Sequence, residues 1–135
     1  MGFDGSITTF SGIQFWPLLP NGADIRIEDI AHALSNQCRF AGHTRVFYSM
    51  AEHSVRVSQL CRLEDALWSL LHDASEAFLS DIPAPLKELP EFEAYRTAER
   101  ALQRTIASAS ALRPSNQQAL VKVTGRCCGL RCATC

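Results

Sequence analysis

The sequence is short of several things, and each shortage closes off a class of protein. Its charges nearly cancel: 13 Lys and Arg against 14 Asp and Glu leave a formal net charge of −1, which gives no basic surface for a nucleic-acid duplex. No apolar run is long enough to cross a bilayer, and no membrane partner is expected. The opening "MGFDGSITTF" has neither the basic start nor the apolar middle of a secretory signal. No internal repeat is visible. The cysteines are not spread through the chain as a disulfide scaffold requires. Cys38 and Cys61 stand in apolar, helix-like contexts, while Cys127, Cys128, Cys132 and Cys135 crowd the C-terminal end. The expectation is a cytoplasmic chain with reduced thiols.

What remains is enough for one domain. A length of 135 residues with 47% hydrophobic content supports a single core. Residues 1–23 mix Gly, Pro and aromatics and read as an irregular or weakly extended arm, with Trp16 in the core. "ADIRIEDIAHALSNQ" reads as a helix, since Ile27, Ile30, Ala31 and Leu34 recur at helical spacing. His32 on it reads as structural. "CRFAGHTRVF" has no clear period and reads as a loop or short hairpin. "SMAEHSVRVSQLC" is a second helix, with Ser49 as N-cap and Glu52 at the capping-box position. "LEDALWSLLHDASEAFL" is a third, with Leu67, Leu70, Leu71, Ala74 and Phe78 as its apolar stripe. Prolines break "DIPAPLKELP" into a loop with one turn of helix. "EFEAYRTAERALQRTIASAS" is a long amphipathic helix, and a short one opens at Pro114 and runs to about Val123. The fold class is all-α.

The chemistry lies in "LLHDASEAFLSDIPAPLK", which sets His72, Asp73, Glu76 and Asp81 around an apolar helix. Adjacent helical residues point about 100° apart, yet His72 and Asp73 can converge on a metal at the side of the helix. A neutral nitrogen and a hard oxygen suit zinc, manganese, iron or cobalt. One helix rarely completes a site, and His53, midway along the preceding helix, is the best further ligand. A lone His on a helix is ordinarily structural. A structural helix has little reason, however, to collect three acids and a His beside Leu70, Leu71 and Phe78.

"EHSVRVSQL" followed by "ALWSLLHDASEAFLSDIPAPLK" resembles the HD-domain phosphohydrolases, in particular the 5′-deoxynucleotidase-like branch and its phage and prophage relatives. The resemblance extends over roughly residues 11–123. It implies a compact HD-domain helical bundle in a bacterial or phage-infected cell. It implies His53, His72 and Asp73 as ligands of a divalent transition metal, and Glu76 as the acid beside the attacking water. Asp81 would meet the substrate sugar or leaving group. Arg39 and Phe40 would line the substrate pocket, with His43 and Arg45 as further phosphate contacts in the same loop. The implied substrate is a small nucleotide, and relatives often form homo-oligomers. The implied reaction is phosphate release from a deoxynucleoside 5′-monophosphate, with dNTP triphosphohydrolysis as the alternative.

The sequence departs from that pattern at its end. The family closes its metal shell with an Asp from a later helix, and Gly125 stands in that place. No Asp or Glu follows Glu99. The expected organisation is therefore an HD domain over residues 1–123, lacking the family's last helices, and a divergent cysteine-rich tail over 124–135. That tail is a shifted reading frame, a small zinc or redox cluster, or the source of a substitute cysteine ligand. A catalytically impaired binding protein on the HD fold is the other functional reading.

Overall fold

The computed structural model describes residues 5–110. The short helix expected from Pro114, Gly125, the four tail cysteines and the boundary at residue 124 lie outside the described residues. Within them the chain is mostly helical, as an all-α reading expects. The elements are β1 (Ile7–Thr8), β2 (Gln14–Phe15), α1 (Ile27–Asn36), α2 (Met50–Leu60), α3 (Ala66–Leu70), α4 (Glu76–Leu79), α5 (Ala84–Lys87) and α6 (Glu93–Ala109).

The N-terminal arm contains a small antiparallel hairpin, with Ile7 opposite Phe15 and Thr8 opposite Gln14. It is fastened to the first turn of α1. The Ser11 backbone N–H and hydroxyl donate to the two carboxylate oxygens of Asp29 at 2.7 and 2.8 Å. Burial alone would raise the Asp29 pKa, but these hydrogen bonds outweigh it and hold the carboxyl below its ordinary value. Phe15 is the arm's buried aromatic, against Phe78 with centroids 4.4 Å apart. Trp16, expected in the core, is exposed, because side chains alternate along a strand and Phe15 takes the inward position. His32, read as structural, lies on the surface, where its ring stacks on Phe10 at 3.8 Å.

The core gathers Phe15, Ile30, Leu34, Met50, Leu71, Ala74, Leu102 and Ile106. Leu102 and Ile106 are the fully buried positions of α6. Burying each from water contributes about 1.5–3 kcal/mol. Ser49 caps α2 as its sequence predicts, accepting the Glu52 N–H at 3.0 Å. The Glu52 carboxylate turns instead to Arg56, one helical turn on.

The third helix is not continuous. α3 ends at Leu70, residues 71–75 form turns, and α4 begins at Glu76. Through this stretch the bonds run mainly three residues back: Ala74 N–H to Leu71 O, Glu76 to Asp73, Ala77 to Ala74 and Phe78 to Ser75. This is the tighter 3₁₀ winding. A stripe counted at 3.6 residues per turn therefore does not run from Leu67 to Phe78. Leu71 and Ala74 are buried, whereas Leu67 is 53% exposed.

Candidate metal centre

Three pieces of chain meet at the site. The first is residues 37–50. Arg39 N–H donates to Tyr48 O at 2.9 Å, Met50 N–H to Gln37 O at 2.9 Å, and Cys38 bridges to Ser49. These contacts bring Arg39 against the start of α2. The loop between them turns through Phe40, Ala41 and Gly42 with φ of 55°, 52° and 82°. The second piece is α2, which carries His53 one turn inside its cap, buried at 4% exposure. α2 packs on α3, so the third piece, residues 69–76, faces it.

There His53, His72 and Asp73 each offer a ligand atom, all within 4.8 Å of one another. The His53 and His72 rings lie 5.3 Å apart, and Asp73 Oδ2 is 3.0 Å from His72 Nε2 and 3.7 Å from His53 Nε2. His72 Nδ1 sits 2.6 Å from the Ser69 carbonyl. A carbonyl only accepts, so Nδ1 carries the proton and Nε2 of the neutral ring presents a lone pair. That lone pair and the Asp73 carboxylate then point at the same small volume. Two acceptors at 3.0 Å need a cation between them, either a second proton on the ring or a metal ion. Two imidazole nitrogens and a carboxylate oxygen are a donor set that zinc, manganese, cobalt or iron accepts. The group could hold a metal ion.

The electrostatics separate the roles of the ionisable groups. Burial, reinforced by the Arg39 charge, pushes the His53 pKa down to about 4, so the ring is neutral and able to ligate near neutral pH. Burial alone would raise the Asp73 pKa, but the close contact with His72, together with the nearby His53 and Arg39, holds it below its ordinary value. Burial also pushes Glu76 up to about 8, with the charges of Asp73 and Asp81 adding to the effect. Glu76 Oε1 lies 3.4 Å from Lys87 Nζ, and Oε2 is buried with no hydrogen-bond partner among the described residues.

Arg39 is no ordinary surface arginine. Its side chain is 12% exposed, Nη1 is 3.6 Å from Asp73 Oδ2, and Nε is buried without a partner among the described residues. The guanidinium lies 5.1 Å from the ring of Phe40, a residue that is 45% exposed. Asp81 is exposed beyond α4, after Ser80. His43 and Arg45 are exposed on the loop that follows Phe40 and are not brought into the cluster of ligand atoms.

Sequence reasoning missed the residues that support this centre. Ser69 anchors His72 through its carbonyl. Lys87 joins Glu76 to Glu99, 2.8 Å from the latter. Gln103 holds the turn at residues 71–75, accepting the Ser75 N–H at 3.1 Å and donating to Leu71 O at 2.6 Å. The signal for α6 was available: Tyr95, Glu99 and Gln103 recur every fourth residue, beside the buried Leu102 and Ile106.

The molecule so far is a mostly helical domain with a candidate His-His-Asp metal centre. No family model matches it. It is 54% identical over 88 residues to the uncharacterized protein YfdR of Escherichia coli, covering 64% of this chain and 49% of that protein. An uncharacterized protein of Rhodobacter capsulatus is 41% identical over 86 residues, covering 57% of this chain and 44% of its own length. The chain spans about half the length of these curated relatives. Among the described residues no helix is long and apolar enough to cross a membrane.

Proposed function

We propose that the chain is a metal-dependent phosphohydrolase with an HD-type helical bundle, releasing phosphate from small (deoxy)nucleotides in a 5′-nucleotidase reaction. The observation that supports this most is the convergence of His53, His72 and Asp73 on one point, with a buried, proton-holding Glu76 beside them. A divalent transition ion held there would polarise a phosphoryl oxygen and acidify a water. The remaining work belongs to the chain's own residues. Glu76, with one oxygen unpartnered among the described residues and its pKa pushed up to about 8, is suited to exchange a proton with a water or leaving group near neutral pH. Arg39 offers a planar fork to a phosphate, its buried Nε having no acceptor among the described residues. The exposed Phe40 ring offers a stacking surface for a base or sugar. Asp81 is assigned to a sugar hydroxyl or the leaving group, and His43 and Arg45 are assigned as further phosphate contacts.

The second reading is a binding protein on the same fold with impaired turnover. It draws on the ligand count: three protein ligands among the described residues, where the family uses four. Metal analysis of the purified protein, together with a dNMP and dNTP panel in added manganese, cobalt or zinc, separates the two. Phosphate release from dNMPs by protein that retains metal is the expected result. Triphosphate release from dNTPs moves the substrate within the enzyme class, and metal binding without turnover selects the binding protein. No bound metal and no phosphate release overturn both.

A further inference from the structure

We infer that Gln103 is a positioning residue of the metal centre, acting by occupying the place of one backbone hydrogen bond in the segment that carries His72 and Asp73. The inference rests on the metal-centre reading above. In an uninterrupted α-helix the Ser75 N–H would bond to the Leu71 carbonyl, four residues back. Here that bond is replaced. The Ser75 N–H donates to Gln103 Oε1 at 3.1 Å, and Gln103 Nε2 donates to Leu71 O at 2.6 Å, so one side-chain amide fills the rung.

A side chain inserted into the i→i−4 ladder is one of the few causes of a sharp departure from helical geometry. The departure falls where it matters, since His72, Asp73 and Ala74 are the residues the amide spans. Regular winding would set His72 and Asp73 about 100° apart on the helix surface. In this interrupted stretch His72 Nε2 nevertheless lies 3.0 Å from Asp73 Oδ2, and Glu76 stands three residues beyond Asp73, the spacing at which side chains of a 3₁₀ turn eclipse. Gln103 touches no ligand atom. It acts through the backbone on both sides of the pair.

The test uses the full chain and cobalt(II) alone. Gln103→Met keeps the length and removes both hydrogen-bonding ends. Ile106→Val, on the same buried face of α6, loosens the core and leaves both Gln103 hydrogen bonds in place. Affinity is read by equilibrium dialysis and ligand geometry by the visible absorption of bound cobalt. Wild type and I106V should bind alike with one spectrum. Q103M should bind about tenfold or more weakly, the usual cost of losing an outer partner of a metal site, with a changed band shape and intensity. If Q103M fails to fold, Gln103→Asn, whose amide is one methylene short, is read in the same way. Wild-type affinity and spectrum in the variant overturn the role of Gln103 and leave the metal centre standing. A wild type that binds no cobalt overturns the centre itself, and the inference with it.

Discussion

Replacing Glu76 with Gln tests the electrostatic reading of the site without any substrate. Glu76 is pushed from its ordinary 4.5 up to about 8 in the folded protein. Between those values the folded state holds a proton that the unfolded state has released, so stability falls as pH rises, by about 1.36 kcal/mol per unit. His53 works in the opposite sense. Its pKa is pushed from 6.5 down to about 4, so its contribution is present above 6.5 and lost as pH falls toward 4. From 4.5 to 6.5 the two slopes offset each other. From 6.5 to 8 only the Glu76 slope remains, one and a half units, about 2 kcal/mol. Urea unfolding of metal-free protein across that window should give this loss in the wild type. E76Q, which mimics the protonated carboxyl, should be flat, and at pH 8 more stable than wild type. A bound divalent ion, as positive charge near the carboxylate, should shrink the wild-type slope. A flat wild-type profile, or an equal slope in E76Q, refutes the reasoning.

Two further substitutions test the local architecture around the site. Ser49→Ala removes the side-chain oxygen that caps α2 and should cost about 1 kcal/mol in urea unfolding; no loss would mean the cap does not hold the helix that carries His53. Ser80→Gly should stabilise by about 1 kcal/mol, because Ser80 sits at φ 63° and ψ 162°, a conformation that glycine adopts freely and other residues adopt under strain; a destabilised variant would count against that strain.

How much of this was legible in the sequence depended on whether local or distant residues decide the geometry. The α2 cap was legible because Ser49 and Glu52 lie within one turn of each other and need nothing else. α1 and α6 were legible from their apolar spacing. The break after Leu70 was not, because every residue from Ala66 to Leu79 favours or tolerates helix and nothing nearby interrupts it. Its cause stands 28 residues beyond Ser75, in the Gln103 side chain. The candidate metal ligands were readable as residue types, while the identity of the atoms that meet was not. The lone pair at His72 Nε2 follows from the Ser69 carbonyl at Nδ1, a contact within one turn that only coordinates reveal. Trp16 failed for a simpler reason. Phe15 and Trp16 are both large and apolar, and only the strand register decides which one turns inward.

The segment that supplies most of the candidate site has little of its own to hold it in place. Residues 71–89 comprise 3₁₀ turns, two four-residue helices, a strained Ser80 and two prolines. α6 supplies none of the three candidate ligands, yet it grips this segment at successive points along one side. Gln103 holds the turn at residues 71–75. Glu99 holds Lys87, which in turn faces Glu76. The Tyr95 hydroxyl donates to Ser80 O at 2.6 Å, and Arg96 donates to the carbonyls of Lys87 and Leu89 at the end of α5. Tyr95, Glu99 and Gln103 stand four residues apart, so a single rigid helix spaces all three supports at once. A helix of 17 residues anchored by the fully buried Leu102 and Ile106 can hold that spacing, which four-residue helices could not set for themselves. The motif carries the candidate ligands, and its geometry is supported from α6.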